Sequence, residues 1–223
     1  MFSWINVHTH GENQEEILSV RQIDLSAIHS NTCNEAGFFS VGLHPWFINA
    51  DTLEDDIKVV KELATNKNVL AVGESGLDRV CDTPMPLQEQ AFEMMISLSE
   101  SLQKPLIIHA VRTHAEIIDW KKKFRPKQYW ILHGFNKNFN VAQSLLEQNM
   151  LLSFGIDVMK EDSQSAQVLK EIPNDKFFLE NDNKDKDMKL LYEAAAKIRK
   201  VHVEELKLQV FNLFKKVFGY AGT

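Results

Sequence analysis

Six residues with metal-binding side chains stand at the ends of apolar, strand-like runs: His8 and His10, Glu74, His109, His133 and Asp182. The runs are Trp4–Val7, Val69–Gly73, Leu106–Ile108, Tyr129–Leu132 and Phe177–Leu179. Neutral imidazole ligates Zn, Fe, Co or Ni, and carboxylates can bridge two ions. His8 and His10 are two positions apart, so on an extended strand both face one side and can reach one ion. No cysteine joins the set, which predicts an open catalytic site rather than a closed structural zinc cage. Two divalent ions set against Glu74 and Asp182 would leave a charge of about +2, suited to attack on a phosphodiester or a polarised carbonyl.

Each residue also has a purely structural role open to it. His109 after Pro-Leu-Ile-Ile and His133 after Trp-Ile-Leu could be satisfied core histidines, Glu74 could accept loop amides, and Asp182 could cap a following helix. Joint placement favours metal: several independent accidents would be needed to put these residue types at matching strand ends.

The elements that must position them alternate along the chain. Strand-like stretches fall at roughly 4–8, 22–28, 38–43, 69–73, 105–109, 129–133, 150–154 and 177–181. Amphipathic stretches lie between most of them, at Leu53–Leu63, Leu87–Leu102, Thr113–Lys122, Val141–Gln148 and Ser163–Glu171. This alternation predicts parallel strands with helical crossovers. The class is α/β, a TIM-type (β/α)8 barrel over residues 1–223 as a single domain, with a doubly wound sheet as the competing architecture. The stretch between His10 and Leu43 is lean. It leaves room for one short helix (about 13–21) and little for another after the second strand, a compressed first quarter. Two helices, about 187–199 and 203–217, close the chain. The apolar stripe of the second (Val210, Phe211, Leu213, Phe214, Val217, Phe218) suits an extra C-terminal docking helix better than a membrane-surface one.

With 223 residues, 44% of them hydrophobic, the chain can bury one sizeable core. Cys33 and Cys81 are far apart and in no CxxC pattern, so free thiols in a reducing cytoplasm are expected. No secretory n-region and no membrane-length apolar run stand out. A formal charge of −6 argues against a general electrostatic grip on nucleic acid. It leaves open a nucleic-acid substrate met by bound metal. The basic run Lys121-Lys122-Lys123, with Arg125 and Lys127, is expected to be a solvated cap on a helix end facing away from the site.

As a set, the motifs resemble the TatD family of metal-dependent hydrolases and nucleases, within the amidohydrolase-type barrels. Asn-Val-His-Thr-His resembles the family's HxH opening, Val-Gly-Leu-His-Pro-Trp (41–46) its GxHP element, and Gly-Glu-Ser-Gly-Leu-Asp (73–78) its GExGLD signature. The stretch from Pro84 to Phe92 with Gln88, then Pro-Leu-Ile-Ile-His, Leu-His-Gly-Phe, Leu-Glu-Asn-Asp and the terminal Phe211 to Gly219, extends the likeness over nearly the full length. The resemblance implies a binuclear site. His8, His10 and Asp182 would hold one ion, Glu74 would bridge, and His109 and His133 would hold the other. It implies hydrolysis of ester bonds, DNA being the usual substrate class. The sequence departs from the family at Asn6 (usually Asp), Gly11 (usually Leu) and Asn181 (usually Thr). Arg112 also falls one place later than the common His-x-Arg.

The mechanism expected is attack by water activated at two divalent ions (Zn, Mn, Mg, Co or Ni), with Asp182 as ligand and general base and Glu74 as the second catalytic carboxylate. His44 and Arg112 are the candidate substrate contacts, and Trp46, Phe47 and Arg79 are further residues able to stand near a nucleic-acid strand. Lys184 could meet a phosphate, and His29 could edge the pocket. Hydrolysis of an amide, lactone or acyl ester on the same barrel is the alternative, and a metal-binding protein without turnover a lesser one. No membrane and no obligate protein partner is implied, so a monomer or weak oligomer is expected.

Overall fold

The computed structural model describes residues 4–12, 14–25, 36–184 and 187–221. His29, Cys33 and positions 26–28 of the expected second strand lie outside the described residues. The strands are β1 (Trp4–Thr9), β2 (Ile17–Gln22), β3 (Phe38–Val41), β4 (Val69–Asp78), β5 (Leu106–Val111), β6 (Trp130–Leu132), β7 (Leu151–Phe154) and β8 (Phe177–Leu179). They lie in sequence order in one eight-stranded sheet. A parallel bridge between Thr9 and Asp182 joins the segment after β8 back to β1. The fold is a TIM-type (β/α)8 barrel.

Six helices follow β3 to β8 in turn: α1 (Leu53–Ala64), α2 (Met85–Leu102), α3 (His114–Phe124), α4 (Phe139–Glu147), α5 (Gln164–Glu171) and α6 (Met188–Arg199); α7 (Val203–Phe218) is extra. The first quarter is compressed further than expected. The short helix at 13–21 does not form among the described residues, because most of that stretch is β2 itself. Ile17 and Leu18 fall within the expected helix at 13–21. In fact they pair with Trp4 and Ile5 of β1, and Ser19 and Val20 take the buried positions.

Backbone contacts divide the chain into two compact units, Met1–Arg21 with Leu132–Thr223, and Gln22–Ile131. In the first, Phe135, Phe154 and Phe177 stack edge to face at 5.5 and 6.2 Å. The Tyr192 hydroxyl of α6 accepts from the Ile5 amide (3.2 Å) and donates to its carbonyl (2.9 Å), fixing α6 against β1. The apolar face of α7 is buried through Val210, Leu213, Phe214 and Val217, with Phe218 against Phe178 at 6.0 Å. It docks as a closing helix. Among the described residues no helix is long and apolar enough to cross a membrane.

In the second unit Phe92 of α2 packs on Trp130 of β6 (5.7 Å) and on Trp120 of α3 (5.5 Å). The basic run does end α3, yet it is not wholly a solvated cap. The Lys121 ammonium lies 4.8 Å over the Trp130 ring, and burial pushes its pKa down to about 8. Its neighbours Lys122 and Lys123 are exposed.

Candidate metal centre

In the first unit, the strand ends of β1 and β8 bring His8, His10 and Asp182 together, with one ligand atom from each within 4.8 Å of the others. Asp182 Oδ1 is 3.8 Å from His8 Nε2 and 3.6 Å from His10 Nε2. His8 is fully buried and His10 is exposed. The β1–β2 register slips between Asn6 and Thr9, a bulge of the kind that re-aims side chains beside a site. Asp182 is not a helix cap; Asp187 caps α6 instead, accepting from the Lys189 amide. Its own backbone is left-handed (φ 52°) and pinned. The amide donates to His8 O (3.2 Å), and the carbonyl accepts from the His10 amide (3.0 Å) and the Thr9 hydroxyl (3.0 Å). Three bonds to the His-Thr-His run therefore fix where the Asp182 carboxylate starts.

His133 lies in the same unit, its ring 4.6 Å from that of His8. Its Nδ1 is 3.4 Å from the wholly buried Glu180 carboxylate, whose Oε1 also accepts from the Gly134 amide at 2.6 Å. Burial raises the Glu180 carboxyl. The hydrogen bond and charge of His133, with the charge of His8 and the Ser153 hydroxyl, bring it below the ordinary glutamate value.

In the second unit, His44, Glu74 and His109 form another such group. The sheet reaches it through glycine. A Cβ at Gly73 would lie 2.3 Å from the Ile107 carbonyl oxygen, and one at Gly76 2.0 Å from that of His109. Only glycine lets β4 and β5 approach this closely. The β4 register shifts between Val72 and Ser75, so Glu74 sits at an irregularity, its amide donating to Gln22 Oε1 at 2.6 Å. Glu74 Oε1 is 2.8 Å from His109 Nδ1 and 3.3 Å from His44 Nε2.

His109 Nε2 faces Asp78 Oδ2 at 3.0 Å. An imidazole that gives its Nε2 proton to Asp78 turns the Nδ1 lone pair toward Glu74. Two lone-pair atoms 2.8 Å apart repel unless a proton or a cation lies between them. This donor set fits a divalent ion, with Asp78 fixing the ring as carboxylates do behind histidine ligands. Burial raises the Asp78 carboxyl, but hydrogen bonds from Trp46, His109 and the Val80 amide bring it below the usual aspartate value. Gln88 of α2 holds the Asp78 backbone, accepting from its amide (2.7 Å) and donating to its carbonyl (2.9 Å). His44 differs. Its Nδ1 accepts from the Trp46 amide at 3.1 Å, so Nε2 carries the proton and His44 enters the group as a donor.

A family model described as TatD related DNase matches residues 18–219. The chain belongs to the TatD family. An uncharacterized metal-dependent hydrolase of Bacillus subtilis, YabD, is 29% identical over 198 residues, covering 81% of this chain and 77% of the relative. The human 3'-5' RNA nuclease TATDN2 is 32% identical over 147 residues, covering 63% of this chain but 19% of that longer protein. Among solved structures, the TatD homologue YjjV of Escherichia coli superposes with a TM-score of 0.83 at 18% identity, over 97% of this chain and 98% of that one. A TatD family hydrolase of Entamoeba histolytica superposes at 0.78 and 13% identity, over 97% and 98%. These structural likenesses show the barrel.

The TatD signature contains two carboxylates that sequence reasoning passed over. Asp78 closes the GExGLD motif beyond the expected strand at 69–73; the structure continues β4 to it. Glu180 stood inside Leu-Glu-Asn-Asp, and only its complete burial marks it out. The departures from the TatD pattern at Asn6 and Asn181 turn out to be partners: Asn6 Nδ2 donates to Asn181 Oδ1 (2.8 Å) and the Asn181 amide donates to Asn6 Oδ1 (3.2 Å). Gly11 takes part only through its amide, on Thr9 Oγ1 at 3.0 Å, a bond open to any residue but proline. Of the substrate-contact candidates, Arg112 is exposed in a left-handed turn just after β5, Arg79 is paired with Glu116 of α3, and Lys184 is exposed.

Proposed function

We propose that this TatD protein is a metal-dependent hydrolase of ester bonds, acting on nucleic-acid phosphodiesters with two divalent ions held by His8, His10, Glu74, His109, His133 and Asp182. The observation that carries the reading is the Asp182 carboxylate, on a pinned backbone, facing two imidazoles 3.6 and 3.8 Å away. Bound divalent ions supply positive charge that polarises the scissile group and acidifies water. The Asp182 carboxylate, on a backbone fixed by three hydrogen bonds to the His-Thr-His run, takes the proton of the attacking water. His44, with its proton on Nε2, donates toward the leaving oxygen, and Arg112 is free to meet a neighbouring phosphate. The name of the human relative, a 3'-5' RNA nuclease, supports nucleic acid as the substrate class.

The test is a substrate panel. Chelated protein reloaded separately with Zn, Mn, Mg and Co is given single-stranded DNA, single-stranded RNA, a generic phosphodiester, and acyl esters and lactones. Cleavage of the nucleic acids that returns with metal, and falls at least about a hundredfold in Asp182→Asn, is the expected result. Metal-restored turnover of acyl substrates alone would overturn the phosphodiesterase reading and leave the hydrolase.

A further inference from the structure

Two aromatic rings stand beside the second-unit metal group with most of their surface in water. Trp46 is 58% exposed and Phe47 77%. They occupy the one-turn 3-10 helix Pro45–Phe47 directly after His44. Large apolar rings left uncovered cost free energy in water and usually mark a binding surface when they cluster. The turn is not loose. Pro45 fixes its entry, the Trp46 amide is bonded to His44, and the indole Nε1 donates to Asp78 Oδ2 at 2.6 Å. Val80, also exposed at 60%, is tied to the other oxygen of Asp78 through its amide at 2.7 Å. The rings are therefore preorganised, which lowers the ordering cost of binding a flat partner.

We infer that Trp46 and Phe47 form a stacking subsite for a nucleobase of a single-stranded substrate. The inference rests on the nuclease reading above and names how that substrate is gripped. The rings meet at an interplanar angle of 69° with centroids 6.5 Å apart, a corner rather than a clamp, so one base lies flat on one ring and meets the edge of the other. His44 links them to the chemistry: its ring is 5.3 Å from Trp46, 5.4 Å from Phe47 and 4.5 Å from His109. The Trp46 ring is also 6.2 Å from that of His109, so a base on the corner stands beside a phosphate met by the ion that Glu74 and His109 would hold.

Charge favours this occupant. A formal charge of −6 argues against a general electrostatic grip on a polyanion, and Arg79 beside the site is already paired with Glu116. Stacking needs no net charge and accepts any base, because every base has a π-face.

Two measurements test the subsite. In the first, KM is compared for a single-stranded oligodeoxynucleotide and an abasic oligomer of equal length, with wild type, Phe47→Ala and Trp46→Leu protein in the activating metal. Wild type should show KM about tenfold lower for the base-bearing strand, and both variants should bring the ratio toward one. Phe47→Ala removes an exposed ring that no hydrogen bond depends on, so its fold is not at risk. In the second, deoxynucleoside monophosphate is titrated into metal-free protein and indole fluorescence followed. Quenching in wild type that disappears in Trp46→Phe is expected. Equal KM values for the two strands, or no quenching, with cleavage intact, would overturn the subsite and leave the nuclease reading standing. Quenching without cleavage in any metal would support the base site and remove the nuclease reading. Loss of a concentration-dependent dimer in Phe47→Ala, with KM unchanged, would reassign the rings to self-association and overturn the inference.

Discussion

Asn6 and Asn181 exchange two hydrogen bonds immediately before His8 and Asp182, with both residues almost wholly buried. Truncating either leaves the other's amide without its partner, which costs about 1–3 kcal/mol for a buried polar group. Asn6→Ala and Asn181→Ala should each lower stability by that amount in urea denaturation. The double variant should cost clearly less than the two together, a coupling of about 1 kcal/mol. Additive losses would show that the two amides do not act as a pair. Sequence marked these positions only as two separate departures from a family pattern. That they answer each other depends on the fold bringing β1 and the end of β8 side by side across a sequence separation of 175, which no local spacing reveals. The six ligand-type residues were readable for the opposite reason: each stands at, or within three residues of, the end of an apolar run. Asp78 lies beyond the Gly-Glu-Ser-Gly stretch, away from the run that ends at Gly73, and Glu180, although it directly follows Leu179, shares the Leu-Glu-Asn-Asp motif with Asp182.

Six of the helices and the extra α7 were readable because each carries an apolar stripe at helical spacing, and their ends moved by only one or two residues. β2 was displaced because Ile17 and Leu18 are adjacent apolar residues after two glutamates, a pattern that a helix face fits as well as a half-buried strand does. β4 runs further than the apolar run shows because the next four residues after Val72 are glycine, polar or acidic before Leu77 resumes the core; pairing with β5 through Ser75–Ile108, Gly76–His109 and Asp78–Val111 is what makes them a strand. That pairing depends on the missing side chains. Gly76→Ala would set a methyl 2.0 Å from the His109 carbonyl oxygen, and Gly73→Ala one 2.3 Å from that of Ile107. Backbone cannot yield there as a flexible side chain would, so each variant should lose more than about 3 kcal/mol or fail to fold. The urea midpoint and soluble yield report it. A near-wild-type midpoint for Gly76→Ala would mean that the close approach of the two strands is not required.

For the molecule as a whole, an acidic chain with a sequence pI of about 5.8 holds two groups of imidazoles and carboxylates that need positive charge to be at ease. On the proposed reading divalent ions would provide it, and with them an affinity for anionic substrate that the protein's own charge lacks. The most direct test is to titrate chelated protein with the metal that best restores cleavage, following bound metal by elemental analysis and turnover in the same samples. Turnover should rise from near zero to a plateau as about two equivalents bind, and Asp182→Asn should bind less metal and stay inactive while folded. Full turnover in protein shown to be metal-free, or an Asp182→Asn variant of near-normal activity, would contradict the account.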